Sequence, residues 1–551
     1  MKAFILMPSL GAYGQPQKII YDSKGKLQLP ATLSREEIEF LGTESIYVPR
    51  GVPFDSSSMF IKAKPAKIFN AEVSRVSSRH EYTNLMDQAW TVMLYKQGII
   101  SLGDAKKVLL ALGMLDVSPA GKSSAANLQN LGDSHEFRLK ELLGGDRYLS
   151  SIPQLGRTKQ EPMARMQLRD KQLDVIDGVH SFLQTLLHII ERHSGTIMPG
   201  MTHLSHAQPI TYGAYLLSVY DGYYRALEQL ELAYAHTNEN SGGCGATSGT
   251  GWPIDRYLVT ELLGFDKLVE PTYDGEAGQD YAMTTLFALS NMMLTLSRTA
   301  MDHEIWGMEG YYTHILVDHH KEVSSFMPQK GGNGGAQWEE VRICANNVLG
   351  AMMLGAMALN GEPNADVLTA YQAAYLSRSA GAIGALCEAE MINSVAGDML
   401  NTLIVDKERL LQLTKDGWGC TPDLAVMLTR EKGYGMRQAH QICAVMVRIA
   451  RIHRKIKPSE LTGEMLDEAA VIAHAKKPGL TKEEIQNIMD PVKFLERHNN
   501  TGDPNPAETK RLVNLRLGVL EESKQRQTER REMIEIGYNK LKDQVDHILS
   551  M

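Results

Sequence analysis

Three polar, glycine-flanked stretches interrupt the helical pattern of this 551-residue chain: QLGRTKQEP (154–162), PGMTHLSHAQPITYG (199–213) and SSFMPQKGGNGGAQWEE (324–340). Each brings hydroxyls, amides and cations to helix ends, where free backbone N–H groups and the helix dipole favour anions. An anionic substrate is implied. The third stretch sets two hydroxyls, Ser324 and Ser325, ahead of Lys330 and then runs through Gly331, Gly332, Gly334 and Gly335. So much mobile backbone suits a lid that closes over its ligand and expels water. No unit of strand, Gly-rich loop and helix accompanies it, so neither a P-loop nor a dinucleotide-binding fold is supported.

Two plainer readings stand beside these. Thr202 and His203 before a helix also suit an N-cap and a satisfied histidine. Asp318, His319 and His320, with His303 and His314 upstream, have side chains that bind metals. Adjacent histidines on a helix point about 100° apart, however, and no H-E-x-x-H spacing occurs, so these histidines are read as solvated and no metal or cofactor is expected.

The elements that must position these stretches are helical. Hydrophobic residues make up 43% and charged residues 22% of the chain, which is ordinary for a compact globular protein. With 57 Lys plus Arg against 65 Asp plus Glu, the net charge is -8, so no excess of positive charge is available for phosphate-backbone contacts and nucleic acid is not an expected partner. Five scattered cysteines without a C-x-x-C pair suit a reducing compartment. The apolar run of MKAFILMPSLGA is interrupted by Pro8 and is too short for a signal peptide or a membrane span, so a cytoplasmic protein without membrane contact is expected.

Residues 1–70 are rich in Pro, Gly and Ser and read as an irregular arm. Amphipathic runs start near residue 84, split by Gly98 and a cap signal at Ser101. Ala282, Leu286, Leu289, Met293, Leu296 and Ala300 recur at alternating steps of four and three, the seam of one long helix against others. The division expected is an arm and small helical domain (1–140), a central long-helix bundle (141–395), a helical domain (396–507) and a helical tail (508–551). In that tail Ile534, Tyr538, Leu541, Val545 and Ile548 suit a helix docking on its own chain or on a partner.

The three stretches, in this order and spacing, resemble the argininosuccinate lyase branch of the fumarase/aspartase superfamily. That branch carries Gly-Arg-Ser-Arg-Asn-Asp, then Thr-His-Leu-Gln-x-Ala-Gln-Pro, then Gly-Ser-Ser-x-Met-Pro-x-Lys-x-Asn with a Glu beyond. The resemblance runs from roughly residue 75 to residue 510 and includes GDSHEFRLKELLGG (132–145) and GTGWPIDRYLVTELLGF (249–265). It implies an all-α, three-domain fold whose central bundle assembles as a homotetramer, with each site built from stretches on three subunits. The implied reaction is anti elimination across a succinyl unit. A serine alkoxide removes the proton beta to the leaving nitrogen, and oriented donors stabilise the carbanion in its doubly charged acid form. Each such donor is worth about 3 kcal/mol in the transition state.

By the same resemblance Ser324 is the base with Ser325 beside it, and Lys330 and Asn333 hold a substrate carboxylate. Thr202 and His203 serve the leaving-group side, with Gln208 orienting. Arg157, Thr158, Lys159 and Gln160 fall where the family grips the fumarate part, although Lys159 cannot reproduce the bidentate fork of an arginine. Four departures matter. Val323 replaces the Gly before the serines, two residues rather than one separate Lys330 from Asn333, and the Glu expected near Gln337 is displaced to Glu339 and Glu340. Ser205 stands for an amide. The guanidino-recognition set would map to Asp366, Leu368 and Tyr371, and so is missing. The expected activity is a carbon–nitrogen lyase releasing fumarate from an N-substituted aspartate, a dicarboxylate or polycarboxylate amine such as one of the ethylenediamine-disuccinate type. Argininosuccinate lyase proper and a non-catalytic structural relative are the alternatives.

Overall fold

The computed structural model describes residues 5–7, 17–21, 27–32, 80–115, 131–158, 162–311, 313–315, 326–327, 335–360 and 381–551. Within the expected irregular arm, β1 (Ile5–Met7), β2 (Gln17–Tyr21) and β3 (Leu27–Thr32) form an antiparallel sheet in that order. Elsewhere the described residues are mainly helical, with three two-stranded sheets among them. Helices α1 (His80–Lys96) and α2 (Leu102–Met114) meet at the expected break, where Ser101 Oγ accepts from the Asp104 N–H at 3.1 Å and caps α2. They pack with α3 (Leu131–Leu142) on a core built from Trp90, Met93, Leu109 and Leu112.

The long elements are α4 (Met163–Arg192), α5 (Tyr212–Thr237), α7 (Asp280–Gly307), α8 (Gly335–Asn360) and α9 (Gly381–Thr402), with the short α6 (Arg256–Leu262) between α5 and α7. Their shared core includes Ala282, Leu286, Leu289, Met293, Leu296 and Ala300, all fully buried. One such large side chain contributes about 2 kcal/mol on burial, against about 1 kcal/mol for a cap, so the seam fixes how the bundle packs. Helix α8 is long and apolar enough to cross a membrane by composition, yet here it packs on α7 and α9. A third core, with Leu424, Ile442, Leu466 and Phe494, belongs to the helices after Ile404. Of the cysteines, Cys244, Cys344, Cys420 and Cys443 are buried and Cys387 half-buried, all as free thiols.

The tail is one 45-residue helix, Pro506–Ser550, docked on its own chain. Leu541 and Ile548 enter the first core, and Val513, Leu520 and Ile534 enter the bundle core, so this helix bridges the two. Its backbone comes so close to the end of α6 that a Cβ on Gly537 would strike the backbone of Gly264. Arg169, fully buried on α4, lies under this crossing: its guanidinium donates to Leu263 O (3.1 Å), Gly264 O (3.2 Å), Asn238 Oδ1 (3.1 Å) and Tyr538 Oη (2.9 Å). Further along, Arg516 grips Asp221 with two bonds of 2.7 and 2.6 Å, a fork only arginine supplies.

Gly537→Val should therefore lift the tail helix and cost about 1–3 kcal/mol by overpacking, read as a lower thermal midpoint; an unchanged midpoint would mean that the helix does not contribute to stability at this crossing.

Candidate active site

The stretch that carries Thr202 and His203 is a β-hairpin rather than a helix start. Strands β4 (Ile197–Thr202) and β5 (Ser205–Thr211) pair antiparallel, and His203 and Leu204 form the two-residue turn with φ of 52° and 55°. Both lie in the left-handed region that a right-twisted two-residue hairpin demands and that non-glycine residues enter at a cost. Backbone strain of this kind is stored at functional sites more than elsewhere. Thr202, His203, Leu204, Ser205 and Gln208 are all exposed at or near the tip. The helix cap is instead Thr211, whose Oγ accepts from the Ala214 N–H at 3.1 Å.

The root of the hairpin is tightly built. A Cβ on Gly213 would lie 2.7 Å from Ile190 O, and one on Gly419 would strike Ala207 O, so both positions need glycine. Beneath it, Tyr212 Oη bonds His303 Nε2 at 2.8 Å, and His303 Nδ1 donates to Thr299 O at 2.7 Å. Both ring nitrogens of His303 are thus occupied, which removes it from any metal set. His303 packs on Trp306 and Trp338. Burial holds its pKa down at about 4 and that of neighbouring His314 at about 3, so both are neutral. His314 lies on β6 (His314–Ile315), which pairs with β7 (Ile404–Val405) and anchors the chain just before residue 316.

Ser324, Ser325, Lys330 and Asn333 lie outside the described residues, as do Lys159, Gln160, His319, His320 and residues 364–375. Gln337 is buried in the first turn of α8 beside Trp338, while Glu339 is exposed. Phe326, within the stretch, is 86% exposed.

Arg157 turns inward. Its guanidinium pairs with the buried carboxylate of Asp87 and donates through Nε to Pro153 O at 2.5 Å. It also lies over the Trp90 ring, 5.9 Å from the centroid. His135 Nε2 approaches the other Asp87 oxygen at 3.1 Å. Arg157 therefore has its charge committed within the chain, and what it holds in place is the adjoining Gly156 and half-exposed Thr158. At Gly156, φ +76°, an added Cβ would touch Thr250 and Trp252 at 3.4 Å, so this stretch leans on the loop before α6. Asp87 and His135 are not among the residues expected from the sequence. The available signal was a carboxylate at a core position of α1, in line with Trp90 and next to Met86.

The stretches do not all meet within one chain. The hairpin follows the C-terminus of α4, and the Tyr212–His303 bond brings the end of α7 to the same place. Thr158 stands before the N-terminus of α4, a 30-residue helix and so about 45 Å away.

Residues 160–350 match a family model described as a lyase. The chain is 30% identical to argininosuccinate lyase of Methanothrix thermoacetophila over 85% of its own length and 93% of that protein. Among solved structures it is similar to EDDS lyase in complex with formate (TM-score 0.78, 27% identity, 86% of this chain and 93% of that one). A class II fumarase from Schistosoma mansoni shares the fold (TM-score 0.58, 16% identity, 88% of this chain and 100% of that one). The chain belongs to the argininosuccinate lyase branch of the fumarase/aspartase superfamily and is a fumarate-forming carbon–nitrogen lyase.

Arg157→Ala should leave the Asp87 carboxylate buried without its main partner and cost about 3 kcal/mol or more of stability, whereas Thr202→Ala, at an exposed tip, should leave the thermal midpoint within about a degree. Equal midpoints for the two variants would show that the Asp87 pair does not hold the first core to the loop.

Proposed function

We propose that this enzyme eliminates an amine from an N-substituted aspartate, with Ser324 as the base, in sites shared among four chains. The observation that carries the reading is the separation along α4. Residues of the 154–160 and 202–208 stretches act on one small substrate only if a second chain, running antiparallel, brings its own α4 end alongside. The reading is supported by Phe287, Leu294 and Met301, which recur at steps of seven on the outer face of α7, between 43% and 55% exposed. Ile343, Met353 and Met357 are exposed on α8. Among the described residues these positions stay exposed, and their spacing is that of a helix seam.

In this reading Ser324 takes the proton from the carbon beta to nitrogen, with Ser325 next to it. Lys330 and Asn333 hold the carboxylate that receives the negative charge, and Thr158, Lys159 and Gln160 grip the other carboxylate. The carbon–nitrogen bond then breaks, the double bond of fumarate forms, and the leaving amine collects its proton on the side of Thr202 and His203, with Gln208 orienting. Arg157 holds the gripping stretch through Asp87. No metal or other cofactor enters, and the cytoplasm is the compartment its free thiols suit. Residues 1–140, 141–395, 396–507 and 508–551 are the proposed divisions of the chain. The missing guanidino set and the likeness to EDDS lyase favour an aminopolycarboxylate of the ethylenediamine-disuccinate type. Argininosuccinate is the second reading, on the 30% identity to a lyase of that name.

The test is fumarate absorbance, followed in both directions with aspartate, argininosuccinate, adenylosuccinate and a panel of N-substituted aspartates. Turnover is expected with an aminopolycarboxylate, and Ser324→Ala should lower kcat at least about a hundredfold while the assembly stays intact. Near-normal activity in that variant would move the base to Ser325, and no fumarate from any substrate would sink the reading.

A further inference from the structure

Among the described residues little holds the hairpin tip. Thr202, His203, Leu204 and Ser205 are exposed, and the first half-buried residues on either side are Met201 and His206, which face each other across the ladder. Met201 makes an apolar contact with the bundle core, and a methionine side chain adapts rather than aims. His206 makes a directional one. Its Nε2 lies 2.9 Å from Tyr311 Oη, and the two rings meet edge-on with centroids 5.9 Å apart.

Both partners are themselves seated. Behind His206 a Cβ on Gly417 would come within 3.1 Å of Nδ1, so a larger residue there would press on the imidazole. Tyr311 lies just beyond α7, on the segment that leads to Ser324. Arg409 fixes it there, donating from Nε to Tyr311 O at 3.0 Å and from Nη2 to Gly310 O at 2.8 Å. Burial raises the tyrosine pKa to about 12, and burial together with Arg451 lowers that of the histidine, so at neutral pH the bond joins two uncharged rings.

We propose that His206 and Tyr311 are positioning residues: their hydrogen bond fixes the turn carrying Thr202 and His203 relative to the segment from which the Ser324 stretch departs. The catalytic consequence rests on the roles proposed above for those residues. Because misplacing a group that acts at the transition state lowers kcat rather than ground-state binding, loss of the link should appear in kcat with KM little changed.

Tyr311→Phe removes only the hydroxyl. In the full-length protein, amide exchange at residues 202–206 should quicken about tenfold, since one net hydrogen bond is at stake. The kcat for fumarate release should fall about tenfold or more, with KM within about twofold and the thermal midpoint held. His206→Ala should do the same, and Tyr311→Phe added to it should cost nothing further. His206→Gln, whose amide reaches the place of Nε2, should restore most of the turnover and slow the exchange again. Unchanged exchange and kcat in Tyr311→Phe, or losses that add in the double variant, would overturn the link. If the wild-type protein forms no fumarate, the lyase chemistry and the catalytic part of this proposal fall together, and the exchange measurement alone decides whether the bond holds the turn.

Discussion

The length of one helix governs the rest of this molecule. Helix α4 is 30 residues of continuous hydrogen-bonded backbone buried along most of its length, and a rod about 45 Å long does not bend its ends together. Polar stretches placed before and after it are therefore held apart, however well each is built. The chemistry of a small dianion needs its base, its charge-stabilising donors and its leaving-group acid within a few ångströms of one another. Both facts are satisfied when antiparallel bundles from several chains pack side by side, each contributing an end. In the proposed assembly, the exposed heptad stripe on the outer face of α7 would be the surface for that packing.

What each chain contributes is set by how its stretches are anchored. The Thr158 stretch is held by an ion pair inside the first core, where Arg157 meets Asp87 over the face of Trp90. The hairpin is held at its root by backbone packing that only Gly213 and Gly419 permit, and near its tip by His206. The tail helix joins the first core to the bundle through Arg169 and the Gly264–Gly537 crossing. Buried charge is costly unless fully paired, and here it sits inside the first core, at Arg157 and Asp87, as well as at the joint between cores, at Arg169.

Much of this was legible in the sequence. The alternating four-and-three pattern from Ala282 to Ala300 specifies a seam because side chains on one helix face recur at that interval whatever surrounds them. Ser101 as a cap and the apolar stripe of the tail were legible for the same local reason. The hairpin was not, because THLS contains no glycine or asparagine, and residues that resist positive φ give no turn signal until tertiary contacts impose it. Nor was the inward turn of Arg157: its partner Asp87 lies 70 positions away in the sequence, and the pairing depends on helices that approach only in the fold. His206 reads as an unremarkable polar position until Tyr311 is placed beside it.

The shared site is tested most directly by mixing two inactive proteins. Ser324→Ala and His203→Ala chains, unfolded separately, combined and refolded together, should regain fumarate-forming activity that neither homogeneous protein shows. Some hybrid sites then draw an intact serine from one chain and an intact histidine from another. A mixture as inactive as its parents, in assemblies shown by mass to contain both chains, would contradict the account.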